Sequence, residues 1–469
     1  MDALLTNDLK NFNDILFQTV RTAEQHLSRI ETLAPGRYID GIEKMTLPNK
    51  GIGAMNTLKY FEEHFAGQLA NSAGPRYFGF VTGGSTPAAV AGDWLVSMYD
   101  QNACGSHDSI APHIEHQTLN FLKELFGLHQ EYFGTFVTGA TMANFTSLAL
   151  ARQWVGEQTG TDFSNVGLSA ATPLKVLSGT PHSSIFKSLS MLGIGRNALV
   201  KVPTLPGREA VDVTELENVL QANPAPLIVV ANAGTVNTVD FDDLEEIGAL
   251  KKRYYFWLHV DAAFGGFAAC SEKYAHYTKG INYADSITID AHKWLNVPYD
   301  SAMQFTRHKD LQLQVFQNTA AYLGDPSKSP DFFHYTPENS RRFRALPAWF
   351  TLMAYGKEGY REIVERNCEA AHYFGELIKN SADFKLLAPV KMNVVCFTLN
   401  NDDLSTDNIK IFLEAVRDDG QVFFTPTIYK NTPAIRAAIS NWLTEQKDID
   451  IAFRVINSIN TKIKSVQTA

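Results

Sequence analysis

A lysine directly after an apolar strand is unusual, because a solvated ammonium belongs at the surface. The segment Ser286-Ile-Thr-Ile-Asp-Ala-His-Lys-Trp294 places Lys293 in such a position, next to His292. An amine that forms an imine with an aldehyde loses its charge and gains covalent chemistry, whereas a lysine that snorkels to solvent has the same local sequence. Asp261 closes the apolar run Phe256-Trp-Leu-His-Val260 and is followed by Ala-Ala-Phe-Gly-Gly266. A half-buried carboxylate needs a cation or several hydrogen bonds, and a protonated ring nitrogen would serve, with Ala263 leaving room for a flat ring. The plainer alternative is an aspartate that caps the next turn. His182, in His182-Ser-Ser184, can stack on a planar ring, move a proton, or simply be hydrogen-bonded in place. In Thr138-Gly-Ala-Thr-Met-Ala-Asn144, the small residues Gly139 and Ala140 let an anion approach the backbone. There Thr141 can cap a helix and donate a hydroxyl, and the helix dipole favours phosphate; an ordinary capped turn reads alike.

These residues must be positioned by strand ends, since open α/β sheets bind ligands beyond the carboxyl ends of their strands. Seven β-rich runs are predicted: Gly134–Val137, Leu174–Ser178, Ala198–Val202, Leu227–Ala231, Phe256–Val260, Ser286–Asp290 and Met303–Thr306. Helical stretches between them, one opening at Thr214-Glu-Leu-Glu217 with capping-box spacing, predict an α/β fold with a largely parallel sheet covered on both faces. Strand order is not encoded in these patterns. Upstream, Leu9, Phe12, Ile15, Leu16, Val20, Ala23, Leu27 and Ile30 form a helical apolar stripe that needs a cover, from this chain or a second one. Downstream of residue 345, a long helical segment leads to strand-like runs at Asn393–Leu399 and Val422–Thr425. Three parts are expected: an N-terminal helical segment (1–86), a large domain (87–345) and a smaller C-terminal α+β domain (346–469).

Composition narrows the class. The 469 residues are 45% hydrophobic and 19% charged, as in a globular chain with a substantial core. A net charge of -9 offers no basic footprint for nucleic acid or an anionic membrane, so a small-molecule ligand is expected. Cys104, Cys270, Cys368 and Cys396 lie far apart, suiting reduced thiols rather than disulfides or a zinc site. The N-terminus shows no secretory signal pattern and no run has membrane-span length, so a soluble, cytoplasmic protein is expected.

Taken in order, the phosphate-type turn, His182, Asp261 and the His292-Lys293 pair resemble the group II pyridoxal-phosphate decarboxylases, which include the aromatic-amino-acid and glutamate decarboxylases. Ala231-Asn-Ala-Gly-Thr235 and Ser340-Arg-Arg-Phe-Arg-Ala-Leu346 match as well, and Asp285–Ala302 is the most specific stretch. The resemblance implies the fold-type-I transferase scaffold and pyridoxal 5′-phosphate as cofactor. It implies that Lys293 binds the cofactor aldehyde, Asp261 keeps the ring nitrogen protonated, and His182 stacks on the ring. Gly139, Ala140, Thr141 and His292 would hold the phosphate, while Thr235 and Ala263 would line the ring. It further implies loss of CO2 from an L-amino acid, with aromatic acids the best guess, by a homodimer whose sites are shared between subunits.

Two departures bear on the outcome. The family's mobile-loop tyrosine, which protonates the substrate carbon, aligns with Phe332 when Arg341–Arg344 are matched. Phenylalanine has no proton to give, so Tyr335 or His334 replaces it, or the reaction turns to oxygen as in the related aldehyde synthases. On the substrate side, Phe80 and Thr82 fall where the family shapes the pocket and holds the carboxylate. The polar pair His107-Asp108 stands where bulky apolar residues are usual, and reads either as a selector of polar side chains or as exposed loop. An aminotransferase or a carbon–carbon lyase would share the scaffold. A nucleotide-dependent oxidoreductase has only Gly193-Ile-Gly195 in its favour, without a GxGxxG after a first strand.

Overall fold

The computed structural model describes residues 1–42, 44–103, 105, 109–169, 174–318, 326, 331–402 and 404–467. Cys104, His107 and Asp108, singled out above, lie outside the described residues. Seven strands form the main sheet: β1 (Phe133–Val137), β2 (Val176–Ser178), β3 (Leu199–Lys201), β4 (Leu227–Asn232), β5 (Phe256–Asp261), β6 (Ser286–Ile289) and β7 (Ala302–Thr306). Their order is β1-β7-β6-β5-β4-β2-β3. Neighbours from β3 to β6 are parallel, and only β7 runs against both of its neighbours. All six residues of β4 are buried: Leu227, Val229 and Ala231 join one core, Ile228 and Val230 another. That alternation is what a strand covered on both faces requires.

The same rule sorts β5. Phe256, Leu258 and Val260 face one core, so Trp257, His259 and Asp261 share the other face. The helix Ala140–Gln158 packs on that face across β5, β6 and β7, which brings its first turn to the strand ends. Gly139, not Thr141, is its N-cap residue; Thr141 sits inside the first turn. The helix expected at Thr214 starts one residue earlier, at Val213. Its cap is Asp212, whose carboxylate accepts from Thr214 N at 3.0 Å and from Glu215 N, so a capping carboxylate precedes the Thr–Glu pair.

The N-terminal stripe lies on two helices, Ala3–Lys10 and Phe12–Leu27, rather than one. Asn11 breaks them by donating its side-chain amide to Asn7 O, competing with the helical backbone. No residue of either helix is buried; Leu9 is 67% and Phe17 68% exposed.

The long helix Ala345–Lys379 changes direction at Gly356, where φ is 58° and the backbone is non-helical. Its first part packs on the helix Pro87–Tyr99, and the helix also contacts the first two strands of a second sheet. That sheet contains β8 (Phe384–Leu386), β9 (Val394–Leu399), β10 (Thr425–Tyr429) and β11 (Thr432–Ala438), in the antiparallel order β10-β11-β9-β8. The run expected as a strand at Val422–Thr425 is displaced: Phe423 instead pairs with the N-terminal segment at Tyr77, and the strand begins at Thr425. Lys430 and Asn431, both with positive φ, make the two-residue turn into β11. No helix among the described residues is long and apolar enough to cross a membrane.

Candidate functional site

A cleft of about 570 Å³ opens where β4, β5 and β6 end, within the range of small-molecule sites. Gly139, Ala140 and Thr141 form one wall of it, and His182, Thr235, Asp261, Ala263, His292, Lys293 and Phe80 all line it. Of the residues expected to hold the cofactor or shape the pocket, Thr82 is absent from the lining. Ser440 Oγ donates to Thr82 O at 3.1 Å, and Asn296 Nδ2 to Gly83 O at 2.8 Å; these bonds hold the segment so that Phe80 and Val81 face the cleft while Thr82 Oγ1 is buried without a partner among the described residues.

Lys293 sits on the single helical turn Ala291–Trp294 that follows β6. Its Nζ lies 3.9 Å from Asp290 Oδ2 and 5.4 Å from the centre of the Phe264 ring. The chain passes very close behind it: a Cβ on Gly83 would come within 1.8 Å of Lys293 O, so no side chain fits at 83. Asp290, given no role from the sequence, reaches the small-residue turn: its Oδ2 accepts from Ala140 N at 3.2 Å. Burial, reinforced by the charge of Asp261, pushes its carboxyl up to about 7 against the opposing pull of Lys293. His292 packs against Tyr299 with the ring centres 4.1 Å apart and the planes tilted by 32°, and burial followed by the Lys293 charge brings its pKa down to about 3, so it is neutral.

Asp261 is held at the floor. Asn144 Nδ2 donates to its Oδ2 at 3.0 Å and Ala263 N to its Oδ1 at 3.2 Å, so its orientation is set from two sides. His182 caps the helix Ser183–Met191 through Nδ1, which accepts from Ser184 N at 3.2 Å. Partial desolvation lowers its pKa, partly offset by the negative Asp261. Thr235 turns its hydroxyl away from the cleft: it donates to Glu209 Oε2 at 2.5 Å and accepts from Asp240 N at 2.9 Å.

Sequence reasoning missed several participants. Arg436, on β11, is a buried cation on the cleft wall; its Nη1 donates to Val236 O at 2.9 Å, and burial lowers its pKa to about 10. Its signal was hidden in a strand that Pro433 disguised. Asn144 and His259 were visible as residues of the quoted motifs, and period-two alternation from Asp261 would have placed His259 on the cleft side of the sheet. Phe332, His334 and Tyr335 do not line this chain's cleft. Phe332 is buried against His116 (4.6 Å between centres) with the Arg341 guanidinium 5.0 Å from its ring, and Tyr335 packs on Phe133.

The donor set fits an anionic, aldehyde-bearing pyridine: an amine, a small-residue turn at a helix N-terminus, and a carboxylate across the floor. Residues 43–400 match the family model described as the pyridoxal-dependent decarboxylase conserved domain. The aromatic-L-amino-acid decarboxylase of Bacillus atrophaeus is 26% identical over 452 residues, 92% of either chain. The 3,4-dihydroxyphenylacetaldehyde synthase of Drosophila melanogaster is 28% identical over 316 residues, covering 66% of this chain and 57% of that protein. The solved Catharanthus roseus tryptophan decarboxylase in complex with L-tryptophan matches with a TM-score of 0.86 at 20% identity, over 98% of this chain and 99% of that one. With its fold-type-I architecture and its cleft at the strand ends, the chain belongs to the pyridoxal-dependent decarboxylase family, as a pyridoxal-phosphate-dependent amino-acid carboxy-lyase.

Proposed function

We propose that this chain removes CO2 from an L-amino acid, most fittingly an aromatic one, with Lys293 as the residue that binds the cofactor aldehyde. The observation that carries the reading is the meeting of Lys293, Asp261, His182 and the Gly139–Thr141 turn around one cleft. Pyridoxal phosphate supplies an electron-withdrawing ring that takes up the electron pair left when the bond from Cα to the carboxylate breaks. Asp261, anchored by Asn144 and Ala263, would accept a hydrogen bond from the protonated ring nitrogen. The turn and neutral His292 would hold the phosphate, and Ala263 with the Thr235 methyl would line the ring. His182 covers the open face. Arg436 offers its cation to the carboxylate of the incoming substrate, and the rings of Phe80, Phe264 and Tyr299 give the mouth an aromatic lining. The protein's part in selecting the bond to be broken would be to orient the bound amino acid, with Arg436 holding its carboxylate.

The exposed stripe on Ala3–Lys10 and Phe12–Leu27 supports packing on a second copy of the chain. Light scattering should give a dimer mass, and removing residues 1–30 should give monomers; a wild-type monomer would exclude this arrangement.

Phe332 favours a second reading, a decarboxylating aldehyde synthase, because it offers no proton at the place where the tyrosine aligns. Incubating a panel of aromatic L-amino acids with the holoenzyme and measuring CO2, amine, oxygen uptake, peroxide and ammonia decides between the two. Equal CO2 and amine with no oxygen uptake is expected. Peroxide and ammonia equal to CO2 would select the synthase, and no CO2 from any amino acid would reject both.

A further inference from the structure

Asp261 on the floor and His182 at the open side hang from one buried chain of hydrogen bonds. The indole Nε1 of Trp257 donates to Ser286 Oγ at 2.9 Å. Ser286 Oγ lies 2.9 Å from His259 Nδ1, and His259 Nε2 lies 2.9 Å from Asn144 Oδ1. From Asn144 Nδ2 the chain branches, to Asp261 Oδ2 at 3.0 Å and to Ser184 Oγ at 3.1 Å. Ser184 Oγ is in turn 2.8 Å from His182 Nδ1. Trp257, Ser286, His259, Asn144, Ser184 and Asp261 are all buried.

The two ends fix the direction of every link. An indole N–H only donates and a carboxylate only accepts. Asn144 Nδ2 faces Asp261, so Asn144 Oδ1 faces His259 Nε2 and can only accept from it, which leaves Nδ1 of the neutral ring to accept the Ser286 hydroxyl hydrogen. His259 therefore carries its proton on Nε2 and gives it to Asn144 Oδ1. The Asn144 amide then presents one hydrogen to Asp261 and the other to Ser184. Ser184 passes its hydroxyl hydrogen to His182 Nδ1, which leaves the proton of neutral His182 on Nε2, the other ring nitrogen. Turning the Asn144 amide would set its oxygen against the Asp261 carboxylate, and moving the His259 proton to Nδ1 would set the Nε2 lone pair against Asn144 Oδ1, each leaving acceptors facing one another in a buried place. Burial keeps His259 uncharged, down to about pH 4.

We infer that Asn144 is a positioning residue whose two amide hydrogens set the Asp261 carboxylate and the His182 tautomer together, with Trp257, Ser286 and His259 holding the amide the right way round. The inference deepens the functional reading above, on which the roles of Asp261 and His182 rest. One buried amide thereby orients the groups proposed to work at the ring nitrogen and at the ring face.

Side-chain 15N signals of histidine in the cofactor-free protein test the chain itself. His259 should stay neutral with its proton on Nε2 between about pH 5 and 8; a proton on Nδ1, or a charged ring at neutral pH, overturns the inference. Asn144→Asp exchanges both donors for acceptors beside Asp261. It should shift the His182 signals, move the pH midpoint of the visible band of the protein titrated with pyridoxal 5′-phosphate, and weaken cofactor binding by roughly tenfold or more. Ser184→Ala, a milder change, should shift the His182 signals and leave that midpoint in place. If both variants only lower the melting temperature, with signals and midpoint unmoved, Asn144 is merely structural and the inference fails. A wild-type protein that binds no pyridoxal 5′-phosphate would instead sink the functional reading, and the histidine signals would still judge the chain.

Discussion

The floor of the cleft and its rim are built differently. At the floor, Asp261 and Asn144 are buried and each is fixed by more than one hydrogen bond. At the rim, Phe80 and Tyr299 are each 58% exposed, and Tyr299 has the His292 ring beside it. The floor is over-determined, so the cofactor chemistry tolerates little change. The rim is loosely specified, which suits a surface that sorts substrates and can be altered without loss of the fold.

Substitutions at the floor should therefore be far more damaging than those at the rim. The largest effect is expected from Lys293→Ala: turnover falls to background and the visible band of the bound cofactor disappears, checked by absorbance and CO2 release. Asp261→Ala should follow, with kcat/KM down by roughly 10²–10³-fold and the cofactor still able to bind. Gly83→Ala tests the backing of the lysine. Its Cβ would collide with Lys293 O and Asn296, so a stability loss of about 1–3 kcal/mol and weaker cofactor retention are expected by denaturant titration. A wild-type melting curve for Gly83→Ala would show that the floor is softer than its geometry implies.

A pH effect comes next. His259 is held down to about 4 by burial, while the unfolded chain takes up a proton at about 6.5. The stability present above pH 6.5 is thus lost as pH falls through this window, because the unfolded state binds the proton first. His259→Gln should flatten that acid slope in urea midpoints measured across the window. The smallest change in stability belongs to the rim: Phe80→Ala should shift preference among aromatic substrates by about tenfold while moving stability by no more than about 0.5 kcal/mol. A global loss of stability there would erase the distinction between floor and rim.

The floor was also the more legible region. Lys293, Asp261 and the Gly139–Thr141 turn could be read because strand-end chemistry needs particular residue types at particular places in a linear pattern. The sheet was legible for the same reason, since β4 and β5 are continuous apolar runs. Its order was not, because strand pairing is set by packing between distant segments. Arg436 escaped because it reaches the cleft from a strand more than a hundred residues away, marked by Pro433 as unlikely to be central. Thr82 lies off the cleft lining because its own carbonyl and that of Gly83 accept bonds from Ser440 and Asn296 that no local pattern announces. Phe332 aligned with a catalytic tyrosine, yet its place beside His116 and Arg341 depends on a pocket assembled from three separate segments.

Asn296 has a consequence for dynamics. Its side-chain amide reaches Gly83 O at 2.8 Å, Ser440 O at 2.9 Å and Lys293 O at 3.3 Å, joining the segment that carries Phe80 and Gly83, the residues just after β11 and the lysine's helical turn. A latch of this kind removes the freedom of the C-terminal unit to peel away by itself. Amide exchange near Lys293 and around Ser440 should then proceed as one cooperative opening, so that the lysine's surroundings are as durable as the joint between the two sheets.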